Sequence, residues 1–199
     1  MNSSLCSLLG IQYPIMQGAF QWLATPELAA AVSNAGGLGT ISASLYQTKE
    51  ELTEAIARAK SLTDKPFCVN ISMFPEVVEG EKTWDFIAAC CQSQVPVVEL
   101  SGRDPKPFVE ELHGAGAKII HKSTAVRFAQ KAEAAGVDVV SVVGFECGGA
   151  PGNDDVTSMV LIPSVASAVH IPVIGGGGVC DGRSYLAMRA LGAEGVVIG

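Results

Sequence analysis

Lys118-Ile119-Ile120-His121-Lys122-Ser123, the helical stretch Ala125 to Ala134, and Val139-Val140-Ser141-Val142-Val143-Gly144-Phe145 form one βαβ unit that decides the fold. Both flanking runs are nearly continuous in Val and Ile rather than alternating, so they read as strands buried on both faces, the mark of a parallel sheet. Ala134-Ala135-Gly136-Val137 closes the helix with a glycine just before the second strand. The same unit recurs outward along the chain. Strand-length apolar runs lie at Pro14 to Gly18, Gly37 to Ala43, Phe67 to Met73, Pro96 to Gly102, Pro172 to Gly177 and Gly195 to Gly199, which with the first two make eight. Helical stretches include Pro26 to Asn34, Lys49 to Ser61 and Gly182 to Ala190. Thr25-Pro26-Glu27 supplies an N-cap, a first-turn proline and an acid near the positive end of the helix dipole. Asn34-Ala35-Gly36-Gly37, Gly114-Ala115-Gly116-Ala117 and Ala190-Leu191-Gly192-Ala193 repeat the closing signal. Eight βα repeats without a long linker predict a closed (β/α)8 TIM barrel, with an open doubly wound sheet as the alternative. Residues 74 to 86 read as a surface loop.

With 199 residues, 48% hydrophobic and 17% charged, the chain 1–199 reads as a single domain with a sizeable core. Thirteen basic and 20 acidic residues give a net charge of −7, and no segment clusters Lys or Arg. Nothing is shaped to neutralise nucleic-acid phosphates or an anionic membrane. The six cysteines show no CxxC spacing and include adjacent Cys90-Cys91, which fits a reducing cytoplasm better than a disulfide framework. Residues 1 to 26 carry no charge but lack a basic n-region, and Gln12, Pro14, Gln17 and Gln21 interrupt them, so they read as a buried first strand rather than a signal peptide. Pro163, Pro172 and four glycines break the uncharged stretch from Val156 to Cys180, which therefore cannot be a spanning helix.

Barrel enzymes build their sites at the C-terminal ends of the strands. Here those ends carry Gln17-Gly18-Ala19, Asn70, Lys122, Glu146 to Ala150, the Gly175 to Gly178 loop and Gly199. Phe145-Glu146-Cys147-Gly148-Gly149-Ala150-Pro151-Gly152 and Pro172-Val173-Ile174-Gly175-Gly176-Gly177-Gly178 leave two strand ends as bare backbone. Exposed main-chain N–H groups can hold a phosphate, especially where a helix begins straight afterwards, so a phosphate-bearing cofactor is expected; tight turns alone would also use these glycines. Lys122 could face a ring oxygen or an anionic atom, or simply solvent. Asn70, a single amide in a buried strand, needs a partner, and backbone capping would satisfy it equally well; Gln17 is similar. Cys147 reads as a small buried residue before it reads as a thiolate. None of His113, His121 and His170 is an obvious general base, and no metal or triad cluster emerges.

Pro14-Ile15-Met16-Gln17-Gly18-Ala19, Ala31 to Gly39, Cys68-Val69-Asn70-Ile71, Glu146-Cys147-Gly148-Gly149 and Pro172-Val173-Ile174 with its glycines resemble the nitronate monooxygenase family, formerly called 2-nitropropane dioxygenase. The FMN-dependent enoyl-ACP reductase belongs to the same fold group. The resemblance implies an FMN-binding barrel. By position, Gln17, Gly18 and Ala19 would lie along the flavin, Asn70 and Lys122 would contact its polar edge, Gly148 and Gly149 would pack near the ring, and Gly176, Gly177 and Gly178 with Gly199 would hold the phosphate. It also implies a small-molecule substrate, either a nitronate oxidised with O2 or an enoyl thioester reduced with NAD(P)H, and allows for a homodimer. Two departures stand out. The family pattern continues Glu-x-Gly-Gly-His, with the histidine as catalytic base or proton donor, and Ala150 occupies that position here. The sequence also stops at Gly199, so the barrel is expected to be truncated after its eighth strand, without the last helix and the covering segment. A flavin binder without turnover, and a barrel that holds a sugar phosphate without flavin, complete the alternatives.

Overall fold

The computed structural model describes residues 3–73, 81–149 and 152–199. Eight strands run in chain order: β1 Ile15–Gln17, β2 Gly39–Ser42, β3 Phe67–Ser72, β4 Val97–Ser101, β5 Lys118–Ser123, β6 Val139–Val143, β7 Val173–Gly176 and β8 Gly195–Ile198. Eight helices accompany them: α1 Ser4–Leu9, α2 Pro26–Asn34, α3 Lys49–Leu62, α4 Glu81–Gln92, α5 Lys106–Gly114, α6 Val126–Ala135, α7 Ser158–Ala166 and α8 Gly182–Ala190. Every strand pairing is parallel, in the order β1-β8-β7-β6-β5-β4-β3-β2. The expected barrel is the observed one, and each expected strand forms within the run that announced it. Gly36, Gly116, Gly136 and Gly192 all take positive φ at the helix ends, as the repeated closing signal requires.

The two ends of the sheet, β1 and β2, meet through a single bridge, Met16 to Leu38. The Gln17 side chain extends that seam. Its amide nitrogen Nε2 donates to Thr40 O at 2.9 Å, its Oε1 accepts from Thr40 N at 3.3 Å, and the Thr40 hydroxyl donates to Gln17 O at 2.8 Å. A side-chain amide thus supplies the donor and acceptor that a longer ladder would have provided.

Strand alternation divides the core into two layers. The outer layer packs β-strands against helices, with Ile41, Val69, Val98, Ile119, Val140 and Val196 at its centre. The inner one fills the barrel: Met16, Leu38, Cys68, Val97, Ile120, Val139, Ile174 and Val197 meet Leu5 and Leu9 of α1. Two expectations are corrected here. Where the sequence predicts only a buried first strand, α1 precedes β1 and closes the N-terminal end of the barrel with Leu5, Cys6 and Leu9 buried; a six-residue helix is too short to display a 3.6 period. The expected loop over 74–86 is helical from Glu81, because Phe86, Ile87 and Cys90 form a buried face at helical spacing. Residues 74–80 lie outside the described residues. All six cysteines are free. No helix among the described residues is long and apolar enough to cross a membrane.

Candidate active site at the C-terminal mouth of the barrel

Above the apolar inner layer, the inward-facing positions of β3, β4, β5 and β6 turn polar. Asn70 pairs in register with Glu99, and Lys122 with Ser141. Asn70 Nδ2 donates to Glu99 Oε2 at 2.7 Å, and Lys122 Nζ lies 3.5 Å from Glu99 Oε1. Glu99 is fully enclosed, whereas the Lys122 side chain keeps 23% of its surface open toward the mouth. Among the described residues, Glu99 Oε1 and Ser141 Oγ are buried without a hydrogen-bond partner, and no donor reaches Asn70 Oδ1. Unsatisfied buried acceptors and donors are uncommon and ask for an explanation, most simply a ligand or an ordered water. Glu99 and Ser141 were not singled out in the sequence. A carboxylate inside the apolar run from Pro96 to Gly102 was the available signal.

On the opposite wall the strand ends carry glycine. Gly176 on β7, and Gly18 and Gly199 just past β1 and β8, continue the inward alternation of Ile174, Met16 and Val197, and a Cβ on Gly176 would collide with Val197 and approach Val143 Cγ1 to 3.1 Å. Polar side chains on one side therefore face glycine positions on the other.

Two glycine-rich loops rise above this wall, and Ser158 at the start of α7 ties them together. Glu146 accepts from Ser158 N at 2.9 Å with one oxygen and at 3.1 Å with the other. The Ser158 hydroxyl lies 3.1 Å from Glu146 Oε2, 2.9 Å from Gly176 O and 3.0 Å from Gly177 O, so its single proton is shared among them. Burial alone would raise the Glu146 carboxyl, but the backbone N–H groups of Glu146 and Ser158 and the Ser158 hydroxyl hold it below the usual carboxylate range. Glu146 thereby takes over the N-terminus of α7, where Thr157 supplies no side-chain cap. Ser158 was another residue the sequence did not single out.

Gly177 and Gly178 take positive φ of 94° and 76°, turning their backbone away from the strand. Among the described residues no hydrogen bond engages Gly178. The helix that follows offers less than expected: Asp181 caps α8 by accepting from Arg183 N and Ser184 N, both at 3.0 Å. A phosphate here would meet the loop amides of Gly177 and Gly178, because a carboxylate already occupies the helix end. Gly148 and Gly149 border open space on the other loop, with nothing within 4 Å of a Cβ built on either. Ala150 lies outside the described residues.

The remaining candidates sort by orientation. The Gln17 side chain closes the seam with Thr40, and its backbone N–H donates to Leu38 O while its C=O accepts from the Thr40 hydroxyl. His121 faces outward, where Nε2 donates to Arg103 O at 3.0 Å and Nδ1 accepts from the Ser123 hydroxyl at 2.9 Å. Burial pushes its pKa below the ordinary histidine range, so it is neutral at physiological pH. Burial and the neighbouring Glu146 raise the Cys147 thiol, against the opposing pull of Lys122, which keeps it protonated. Among the described residues no group of His, Cys, Asp and Glu could hold a metal ion. Trp22, 73% exposed, holds φ at 70° in the loop after β1, an uncommon conformation for a bulky side chain.

The family model described as nitronate monooxygenase matches residues 2–199. Over its whole length the chain is 38% identical to the (3aS,4S,5R,7aS)-5-hydroxy-7a-methyl-1-oxo-octahydro-1H-indene-4-carboxyl-CoA dehydrogenase of Rhodococcus jostii and covers 54% of that protein. It is 33% identical to the "Probable nitronate monooxygenase" of Staphylococcus saprophyticus, of which it covers 67%. Among solved structures, FabK from Thermotoga maritima superposes with a TM-score of 0.93 at 40% identity, covering all of this chain and 61% of that one. The chain thus spans about half to two thirds of the length of these relatives.

Proposed function

Because the chain belongs to the nitronate monooxygenase family, we propose that it forms the flavin-holding barrel of an FMN-dependent oxidoreductase that oxidises alkyl nitronates with O2 in the cytoplasm. The observation that carries this reading is the mouth itself, where the Asn70, Glu99 and Lys122 cluster faces a glycine wall. The residues present fit FMN: open polar atoms on β3 and β5 suit a heteroaromatic edge, and one glycine cradle suits one phosphate. Bound FMN would supply the acceptor for an electron pair or hydride and its return to oxygen.

The chain's own groups divide the remaining work. Asn70 Oδ1 is free to accept and Lys122 Nζ to donate, while Gly177 and Gly178 present backbone toward the phosphate and Gly148 and Gly149 leave room beside the ring. An alkyl nitronate arrives already deprotonated, and the Lys122 ammonium favours an anion at the mouth. A neutral nitroalkane must first lose an α-proton. Glu99 is enclosed and His121 faces outward, so neither is placed to take it. Ala150, at the position of the family's histidine, has no base to offer.

Purified protein is expected to be yellow and to release FMN identifiable by chromatography. Nitronate should drive oxygen uptake, with nitroalkane turned over far more slowly. Ala150→His should raise nitroalkane oxidation by up to the roughly 10² to 10⁴ expected of a positioned base and change nitronate oxidation far less. Colourless protein that takes up no added FMN would sink the reading. A thioester substrate is the second reading, favoured by the 38% identity to a protein whose name specifies a carboxyl-CoA. NAD(P)H consumption with a crotonyl thioester, in the absence of nitronate turnover, would establish it.

A further inference from the structure

Glu99 has no contact with solvent, yet its two oxygens serve two elements. Oε2 accepts from Asn70 on β3, and Oε1 faces Lys122 on β5 without a hydrogen bond of its own. A carboxylate can only accept, so the Asn70 amide is held with Nδ2 toward Glu99, and Oδ1 is left as an acceptor with no donor among the described residues. The same negative charge draws in the Lys122 ammonium, whose stem is mostly buried and whose head would otherwise move into water.

We infer that Glu99 is a positioning residue for the flavin: it fixes Asn70 as an acceptor and Lys122 as a donor side by side at the mouth. Such a pair complements the pyrimidine edge of an isoalloxazine, where an N–H stands between two carbonyls. The enclosed carboxylate is too deep to be a proton acceptor for substrate, and its cost in desolvation is recovered only when both partners stay in place. This inference rests on the flavin reading of the site.

The test compares wild-type protein with Glu99→Gln, which keeps the shape and an acceptor for Asn70 but removes the charge that holds Lys122. Wild type should bind FMN, and the variant should bind it about tenfold more weakly. Removing a negative charge beside the cofactor should also favour its more electron-rich reduced form; a tenfold gain for reduced over oxidised FMN would appear as a rise of about 30 mV in the two-electron potential. Wild-type protein that binds no FMN overturns the flavin reading and this inference together. Wild-type binding with an unchanged affinity and potential in Glu99→Gln overturns the positioning role alone, even if the variant melts earlier. Should that variant not fold, Glu99→Met/Lys122→Met replaces the pair with apolar groups of similar volume, which preserves folding in comparable cases. Positioning then predicts an FMN affinity below that of Lys122→Met alone, because the Asn70 amide loses the carboxylate that orients it, and an affinity no lower than that of Lys122→Met would overturn it.

Discussion

The floor and the mouth of the barrel are built on the same strands with the same alternation, and they are opposite in character. At the floor, Leu5 and Leu9 of α1 pack onto Met16, Leu38, Cys68, Val97 and Ile120, all buried and apolar. At the mouth, the next inward positions of β3, β4 and β5 bring Asn70, Glu99 and Lys122 together, and β7 offers only glycine. Burial of apolar surface makes the floor a source of stability. The mouth leaves buried polar atoms unpartnered, which costs stability and marks the end where a ligand belongs. Gly195 and Gly148 differ in the same way: a methyl on Gly195 at the floor would meet Leu5 Cδ2 at 2.5 Å and Pro14 O at 2.8 Å, whereas one on Gly148 at the mouth would meet nothing within 4 Å.

The contrast can be broken most forcefully at the floor. Leu5→Ala should lower stability by about 3 to 4 kcal/mol in urea denaturation, as expected for a cavity in a closed core. Gly195→Ala should cost about 2 kcal/mol by overpacking. The double variant should be less destabilised than the two changes added together, because the new methyl enters the space that Leu5 vacates. Full additivity would mean that α1 does not seal the barrel as described.

Gln17→Ala should follow, at about 2 kcal/mol, because it strips partners from the buried Thr40 N–H and C=O. The loss should appear locally, as faster hydrogen exchange at Thr40 than at Val98, deep in the paired sheet. Uniform acceleration at both amides would show that the seam is not a separable weak point.

At the mouth, Gly178→Asp should weaken FMN binding about tenfold, or roughly 1.4 kcal/mol, by placing a carboxylate against the phosphate. Gly177 would be a poorer choice, since a Cβ there would meet Ser158 Oγ at 2.6 Å and disturb the fold as well. Gly178 has room, the nearest atom being Glu146 Cβ at 3.8 Å, and Asp tolerates left-handed backbone better than most residues. Gly178→Asn, isosteric and neutral, should bind FMN nearly normally; equal loss in both variants would assign the effect to shape rather than charge.

The smallest effect concerns Asp138, at the floor end of β6. Burial alone would raise its carboxyl, but the Ile119 N–H, His113 and Lys118 outweigh that and hold it below the usual range. A depressed folded pKa stabilises the protein above the unfolded value of about 3.9 and loses that contribution as pH falls through the folded value. The stability difference between wild type and Asp138→Asn should therefore shrink as pH falls below about 4. A difference that persists to low pH would mean that the carboxylate charge contributes nothing.

Local chemistry made much of this molecule legible before folding is considered. Strands buried on both faces announce themselves as unbroken apolar runs, and helix ends announce themselves through Thr25-Pro26-Glu27 and the recurring glycines, because each signal depends only on neighbours in the chain. The sequence by itself therefore determined the eight βα repeats, the glycine-rich strand ends, and the need of Asn70 for a partner. Tertiary structure alone decided who the partners are. Asn70 and Glu99 are 29 residues apart, and only the β3 to β4 register sets them opposite one another. Gln17 could have faced a ligand, but barrel closure turned it to Thr40, 23 residues away. Ser158 reads as an ordinary helix start until the α7 packing places it between two glycine loops. Patterning fixes which face of an element is buried; the hydrogen-bond geometry of buried polar groups is fixed only when distant strands fall into register, and in this barrel that register builds the candidate site.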